Sequence, residues 1–371
     1  MTKSAPLSFG SKILPLTSAR FFAAMFVVFY HGWLIIPSHR DQHDLLSRFI
    51  GLGYVSVSFF FMLSGFILAI VYLGSGKPVQ PRRFFVSRFA RIYPLYIAAL
   101  LLDLPHFLHT FRSSGATSMH AVGVVTASVA LVQAWSPSLT GLNIPGWSLS
   151  AEAFFYLCFP LIGPLLAKLR LRTSLVAGLL IYATGAGMVH ALHGSGQTYS
   201  PLPHLYVFLL GINLATPFRW VMEESERRRA LERSAPYLIV VSLAAFLAIP
   251  VFQLPISENG LQHGLLAPLF AVVIVALASG NRLIDSLLSP KWLVVLGEAS
   301  FALYLIHMPI ATMLRRPLQH YGTPAFLAYA CLVTALSVLS LVYFETPCRL
   351  WILAKEKVRS RETQATSVLM Q

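Results

Sequence analysis

Charged side chains make up only 11% of this 371-residue sequence, and acidic ones are the rarest, with 14 Asp and Glu against 28 Lys and Arg. A water-soluble domain of ordinary composition is about a quarter charged, so a solvated globule is excluded. Cysteine is nearly missing. Cys158, Cys331 and Cys348 are widely spaced in or beside apolar segments, which excludes a disulfide framework and a cysteine metal site and leaves three small core residues. There is no G-x-S-x-G, so Ser64 is not offered as a nucleophile. No internal repeat is visible, which counts against a transporter built from duplicated halves. What fills the sequence is apolar: 56% hydrophobic residues and a mean hydropathy of +0.68. Runs of roughly 20 apolar residues fit membrane helices rather than barrel strands. The expected fold is all-α, a polytopic transmembrane helical bundle of about ten spans plus one non-spanning helix.

Apolar segments fall at about 16–38, 51–73, 92–109, 120–136, 147–168, 173–193, 203–221, 236–254, 262–280, 293–312 and 324–345. Charge decides which of these eleven cross. If 120–136 is a buried or re-entrant helix, 23 of the 28 Lys and Arg fall on the cytoplasmic side, leaving only Arg40, Arg48, Arg112, Arg315 and Arg316 outside. If all eleven cross, the split becomes 10 inside and 18 outside. The positive-inside rule selects ten spans with both termini cytoplasmic. The same rule accounts for the net charge of +14 without nucleic acid. The basic residues before the first apolar run resemble a signal sequence, but the run is long and lacks a small-x-small cleavage site, so it reads as an uncleaved first span.

That first span, Leu16 to Pro37, carries Arg20 and His31, which are 11 residues apart. Eleven steps at ~100° close to within roughly 20° of full turns and rise about 16 Å. The two side chains therefore share one helix face, about half a membrane apart. Ionisable groups at membrane depth face protein or a water-filled cavity. His31 is either functional or a buried histidine bonded to a neighbouring helix.

Several further groups stand out. The 74–91 loop holds five cations and no acid. Arg88 and Arg91, neighbours on one helix face, sit where the third span begins, and a helix start with two guanidiniums suits a phosphate. Arg82 and Arg83 read as positive-inside residues. Ser64-Gly65 in FFFMLSGFIL permits close helix approach. In PGWSLSAEAFFYLCFP, Ser148, Glu152 and Tyr156 share a face, and Glu152 lies in the outer half with His31. The two make either an acid/base pair or a salt bridge that joins helices. Ser300, Tyr304 and His307 share a face later on, with His307 read as structural. Glu345 and Arg349 read as a structural pair at the inner end of the last span. His39 and Asp44 have the H-x4-D spacing of glycerolipid acyltransferases, but in a short outer loop without that family's other motifs, and they are discounted.

Taken together and in order, Arg-x10-His, FFMLSGF, R-x-x-R before IYP, WSLSAEAFFY, GEASFALYLIHMPI and FETP resemble the integral-membrane acyltransferase-3 family from Leu16 to about Arg349. The resemblance implies transfer of an acyl group, usually acetyl from cytoplasmic acetyl-CoA, to a hydroxyl of a cell-envelope glycan. The enzyme would lie in the bacterial inner membrane, with glycan or glycolipid acceptor, acyl-CoA and membrane lipids as its partners and no metal. It implies functional roles for Arg20 and His31 and for the Arg88–Arg91 pair. The charges agree: coenzyme A is polyanionic, and Arg20, Arg88 and Arg91 lie at cytoplasmic span ends. The thin pantetheine arm would carry the thioester toward His31 and Glu152, with His31 as general base or as an acyl carrier. The expected organisation is a membrane acyltransferase domain over 1–355 and a short polar cytoplasmic tail over 356–371. The hydrolase-like domain that some relatives carry is not expected, so a function needing it would require a separate partner. Two rivals stand beside this reading: a lipid-type membrane-bound O-acyltransferase using His307, and a transporter using Arg20, His31 and Glu152 as a proton relay.

Overall fold

The computed structural model describes residues 13–36, 44–74, 78–115, 117–192 and 199–369, with side chains to residue 358. Its helices in chain order are α1 (Leu14–Ile35), α2 (Leu45–Gly51), α3 (Ser56–Leu68), α4 (Pro81–Ser113), α5 (Ser118–Val129), α6 (Trp147–Ala167), α7 (Leu171–Ala191) and α8 (Leu202–Glu223). There follow α9 (Ser225–Phe252), α10 (Glu258–Gln262), α11 (Ala267–Leu277), α12 (Arg282–Leu288), α13 (Lys291–Met313), α14 (Arg315–Tyr321), α15 (Thr323–Ser340) and α16 (Thr346–Leu369). No strand occurs among the described residues.

Ten helical stretches among the described residues are long and apolar enough to cross a membrane. The 12-residue α5 is not one of them, since at ~1.5 Å per residue it spans about 18 Å of a roughly 30 Å core. This is the expected bundle of ten spans and one shorter helix. We call the side where α1 begins the basic face. Arg82, Arg83, the 168–172 turn and the α8–α9 connection all lie there by chain alternation, and the other side is the far face.

Three boundaries differ from expectation. The third span begins at Pro81, well before 92, because Pro81 pre-sets a first helical turn and no breaker separates it from Arg91. Arg88 and Arg91 therefore sit about 10 and 15 Å along the helix, not at its N-terminus, and the free N–H groups of that end are not theirs. The last span runs through a π-helical turn at Leu341–Glu345 into α16, so the expected polar tail is helical as far as Leu369. The eighth span is split into α10 and α11 around Gly264, whose φ of +100° only glycine adopts without strain.

Glycines set the closest helix pairs. A Cβ on Gly297 of α13 would collide with the Thr17 carbonyl of α1. Gly65 of α3 faces the Phe208 carbonyl of α8, and Gly211 of α8 faces the Met62 carbonyl of α3. Backbone contact of this kind is how apolar helices gain packing energy in lipid. Lipid-facing surfaces are equally plain. Leu157, Leu161 and Leu165 of α6 are 62%, 74% and 64% exposed, and Leu157 lies roughly 140° around the helix from Glu152.

Between α5 and α6 the chain runs as three 3-10 turns, Gln133–Trp135, Pro137–Leu139 and Ile144–Gly146. Irregular backbone beside a membrane bundle needs its polar groups satisfied inside the protein. Gln133 Nε2 donates to Tyr96 Oη and to the Gly146 carbonyl, both at 2.9 Å. Asp103 of α4 accepts the Asn143 N–H at 2.7 Å, and Asn143 Nδ2 reaches the Leu305 carbonyl of α13 at 3.1 Å. Asn143 itself is left-handed, with φ of 45°, a conformation asparagine tolerates.

Candidate active site

Three groups of polar side chains follow one another from the basic face outward. The first is cationic. Arg20 of α1 and Arg91 of α4 are close enough to repel each other, and neither guanidinium makes a hydrogen bond among the described residues. Arg88, one turn before Arg91 on α4, lies within its electrostatic range. Its Nη2 donates to Ser87 Oγ at 3.3 Å and to Tyr72 Oη at 3.4 Å, and its Nε is buried without a partner. Three cations thus converge from two helices with unused donors, an arrangement that an anion would complete.

Glu345, at the end of the π-helical turn, reaches into this group. The expected Glu345–Arg349 pair is not made. The carboxylate is attracted by Arg91 first, then Arg20, and only then Arg349, and its Oε1 is buried without a hydrogen bond. Glu345 and Arg349 keep the one-turn spacing of a regular helix, but the carboxylate lies among the cations of α1 and α4 instead.

The second group surrounds Glu152. Its Oε1 accepts from Ser64 Oγ at 2.8 Å and from Tyr156 Oη at 2.5 Å. The expected one-turn relation between Glu152 and Tyr156 is present. Ser64, read as a packing residue, has a second use as a donor. Glu152 also lies within electrostatic range of Arg20 and Arg91. It makes no hydrogen bond to His31. The expectation that the two pair is therefore corrected: the carboxylate sits deeper, against the arginines, since α6 runs inward from the far face while His31 stays near the outer end of α1.

The third group is a histidine pair. His31 Nδ1 lies 3.0 Å from His307 Nε2. His307 Nδ1 lies 2.6 Å from the Tyr304 carbonyl, which can only accept, so that nitrogen carries a proton. In the neutral ring His307 Nε2 is then an acceptor, and His31 Nδ1 must be the donor. The remaining nitrogen, His31 Nε2, then bears a lone pair, and the half-buried ring also lies against the Val27 carbonyl one turn back on α1. His307 is held from behind, as Tyr329 Oη donates to its own carbonyl at 3.0 Å. Tyr304, one turn away, shares a 2.9 Å hydrogen bond with Ser148. His307, read from the sequence as structural, is therefore the residue that fixes His31. Its position on one face with Tyr304 was the available signal. Asp44 of the discounted H-x4-D spacing caps α2 by accepting the Ser47 N–H at 3.1 Å, and His39 lies outside the described residues.

The fold and these groups define a multi-pass membrane protein with an anion-seeking basic end and an oriented histidine toward the far face. The sequence profile of the acyltransferase-3 family, described as an acyltransferase domain, matches residues 16–343. The chain belongs to that family, and it is an acyltransferase. It is similar to acyltransferase MdmB of Streptomyces mycarofaciens, with 29% identity over 80% of this chain and 78% of that protein. It is similar to YrhL of Bacillus subtilis strain 168, proposed as a peptidoglycan O-acetyltransferase, with 26% identity over 90% of this chain and 54% of YrhL. It is also similar to O-acetyltransferase OatA of Staphylococcus aureus, with 24% identity over 92% of this chain and 58% of OatA. The chain thus spans little more than half the length of YrhL and OatA. No solved structure matches it significantly.

Proposed function

We propose that this protein transfers an acetyl-sized acyl group from cytoplasmic acyl-CoA to a hydroxyl of a cell-envelope glycan. The observation that carries the reading is the oriented His31, with a lone pair on Nε2, on the same helix as Arg20 and about 16 Å further along it. The names of YrhL and OatA, which are O-acetyltransferases by those names, point the same way. The positive-inside rule makes the basic face cytoplasmic, so the membrane is the inner membrane and both ends of the chain face the cytoplasm.

In this reading Arg20, Arg88 and Arg91 hold the donor's phosphates, and the pantetheine arm passes Glu152 to bring the thioester to His31. His31 Nε2 takes the proton of the acceptor hydroxyl as its oxygen attacks the thioester carbonyl. The C–O bond forms, the C–S bond breaks, and the proton passes from the imidazolium to the departing thiolate. His307 holds the reactive tautomer, the task first expected of Glu152. Glu152 supplies instead a fixed negative charge that keeps Arg20 and Arg91 together at the donor's path. Attack by His31 itself would give an acyl-histidine and ping-pong kinetics.

The test compares envelope polysaccharides from cells with and without the protein by mass spectrometry, alongside acetyl-CoA turnover by the purified chain. Acetyl-sized mass differences and release of free coenzyme A are expected. Solute flux in proteoliposomes with no thioester consumption would overturn the proposal in favour of a transporter.

A further inference from the structure

Beyond the histidine pair, the far-face end of the bundle carries aromatic side chains that the transfer chemistry leaves unused. Tyr30 adjoins His31 in sequence, and their rings are 4.9 Å apart. Tyr54, from the 3-10 turn between α2 and α3, lies edge-on to Tyr30 at 5.6 Å. Tyr199, just ahead of α8, packs on Trp147 at 5.1 Å. Tyr199 also comes within electrostatic range of Tyr30 on one side and Tyr304 on the other. Glu258, the first residue of α10, lies within electrostatic range of both Tyr30 and Tyr54. Tyr30, Tyr54, Tyr199 and Glu258, from four segments of the chain, thus lie within reach of one another beside His31.

The state of their polar atoms is the telling feature. Tyr30, Tyr54 and Tyr199 are half-buried rings, yet none of their hydroxyls makes a hydrogen bond among the described residues. None is among the sealed polar atoms either. Other half-buried tyrosines behave differently: Tyr72, Tyr93 and Tyr182 each donate to a protein acceptor. Tyrosine ordinarily spends its hydroxyl when its ring is packed. Glu258 is exposed and makes no ion pair among the described residues. Three held ring faces, three free hydroxyls and one carboxylate form a surface that is apolar in patches and hydrogen-bonding between them. This is the pattern of a small-molecule subsite, and it fits a pyranose, whose C–H face packs on an aromatic ring while its hydroxyls donate to a carboxylate and exchange hydrogen bonds with phenols.

We propose that Tyr30, Tyr54, Tyr199 and Glu258 form the acceptor subsite, which holds one sugar ring of the glycan with a hydroxyl directed at His31 Nε2. The inference rests on the acyl-transfer reading for its purpose but not for its test. The probes are methyl β-D-glucopyranoside and methyl N-acetyl-β-D-glucosaminide. They are added to the purified full chain in detergent and followed by saturation-transfer NMR, with no donor present. Saturation of the ring protons of at least one sugar is expected in the wild type. It should fall at least fivefold in Tyr54→Ala and in Tyr199→Ala, and less in Tyr54→Phe, which keeps the ring. Glu258→Gln should weaken binding several-fold. Coenzyme A affinity, which reads the other end of the bundle, reports whether each variant is folded. If neither sugar binds the wild type, or if folded Ala variants bind as the wild type does, the subsite is overturned. Sugar binding by a protein that never consumes acetyl-CoA would instead overturn the transfer reading and leave the subsite standing.

Discussion

At the scale of single residues, the proposed reaction divides the site into donor contacts and a base with its support, and the two should fail differently. Charge-assisted contacts to phosphate contribute roughly 1.5–3 kcal/mol each. Arg20→Ala, Arg88→Ala and Arg91→Ala should each weaken coenzyme A binding about tenfold or more by calorimetry, and Lys should rescue only in part because it lacks the planar fork. Glu152→Gln keeps acceptors for Ser64 and Tyr156 but removes the charge between Arg20 and Arg91, so a slow enzyme is expected rather than a dead one. His31→Ala should abolish transfer while coenzyme A still binds. His307→Phe removes the acceptor that holds His31 Nδ1–H and should lower kcat by roughly 100-fold, in the range typical of general-base support, with donor KM little changed. A well-folded His307→Phe enzyme at wild-type kcat would show that the imidazole contact is only packing.

Among the elements, the segment joining α5 to α6 is tied to its neighbours by side-chain hydrogen bonds, and Asp103 is the acceptor of the buried Asn143 N–H. Asp103→Ala leaves the buried Asn143 N–H unsatisfied, a loss of about 1–3 kcal/mol. It should lower the midpoint of thermal unfolding in detergent by several degrees, and unchanged melting would mean that the tie carries no load. This is also the level at which the sequence stops being readable. Spans were legible because a 20-residue apolar run has few other fates. The one-turn relation of Glu152 to Tyr156 was legible because it lies within one helix. Which residue faces His31 was not, since that depends on the rotation and depth of α13 against α1, and these are set by the Gly297–Thr17 contact between helices 280 residues apart in sequence. The approach of Arg91 and Arg20 to Glu345 is likewise a contact between distant helices, and the i, i+4 spacing to Arg349 carries no sign of it.

For the whole molecule, the ten-span arrangement makes a sided prediction. In a chain with Cys158, Cys331 and Cys348 replaced, Ser225→Cys should react with an impermeant maleimide only after the cells are opened. Labelling in intact cells would invert the bundle. The distance between Arg20 and His31 has a further consequence, in the charge balance of the reaction. In the proposed reaction the donor stays on the basic face and the acceptor on the far face, so each turnover would send an acyl group outward and return the hydroxyl proton inward to the thiol of coenzyme A. The acyl group leaves in place of a proton, so neither compartment changes its charge. Moving one elementary charge across the membrane costs about 2.3 kcal/mol per 100 mV, but this exchange moves none. Acetyl transfer in proteoliposomes should therefore reach the same extent at any imposed membrane potential and draw no sustained current, and a steady current during turnover would mean that the proton leaves by another path.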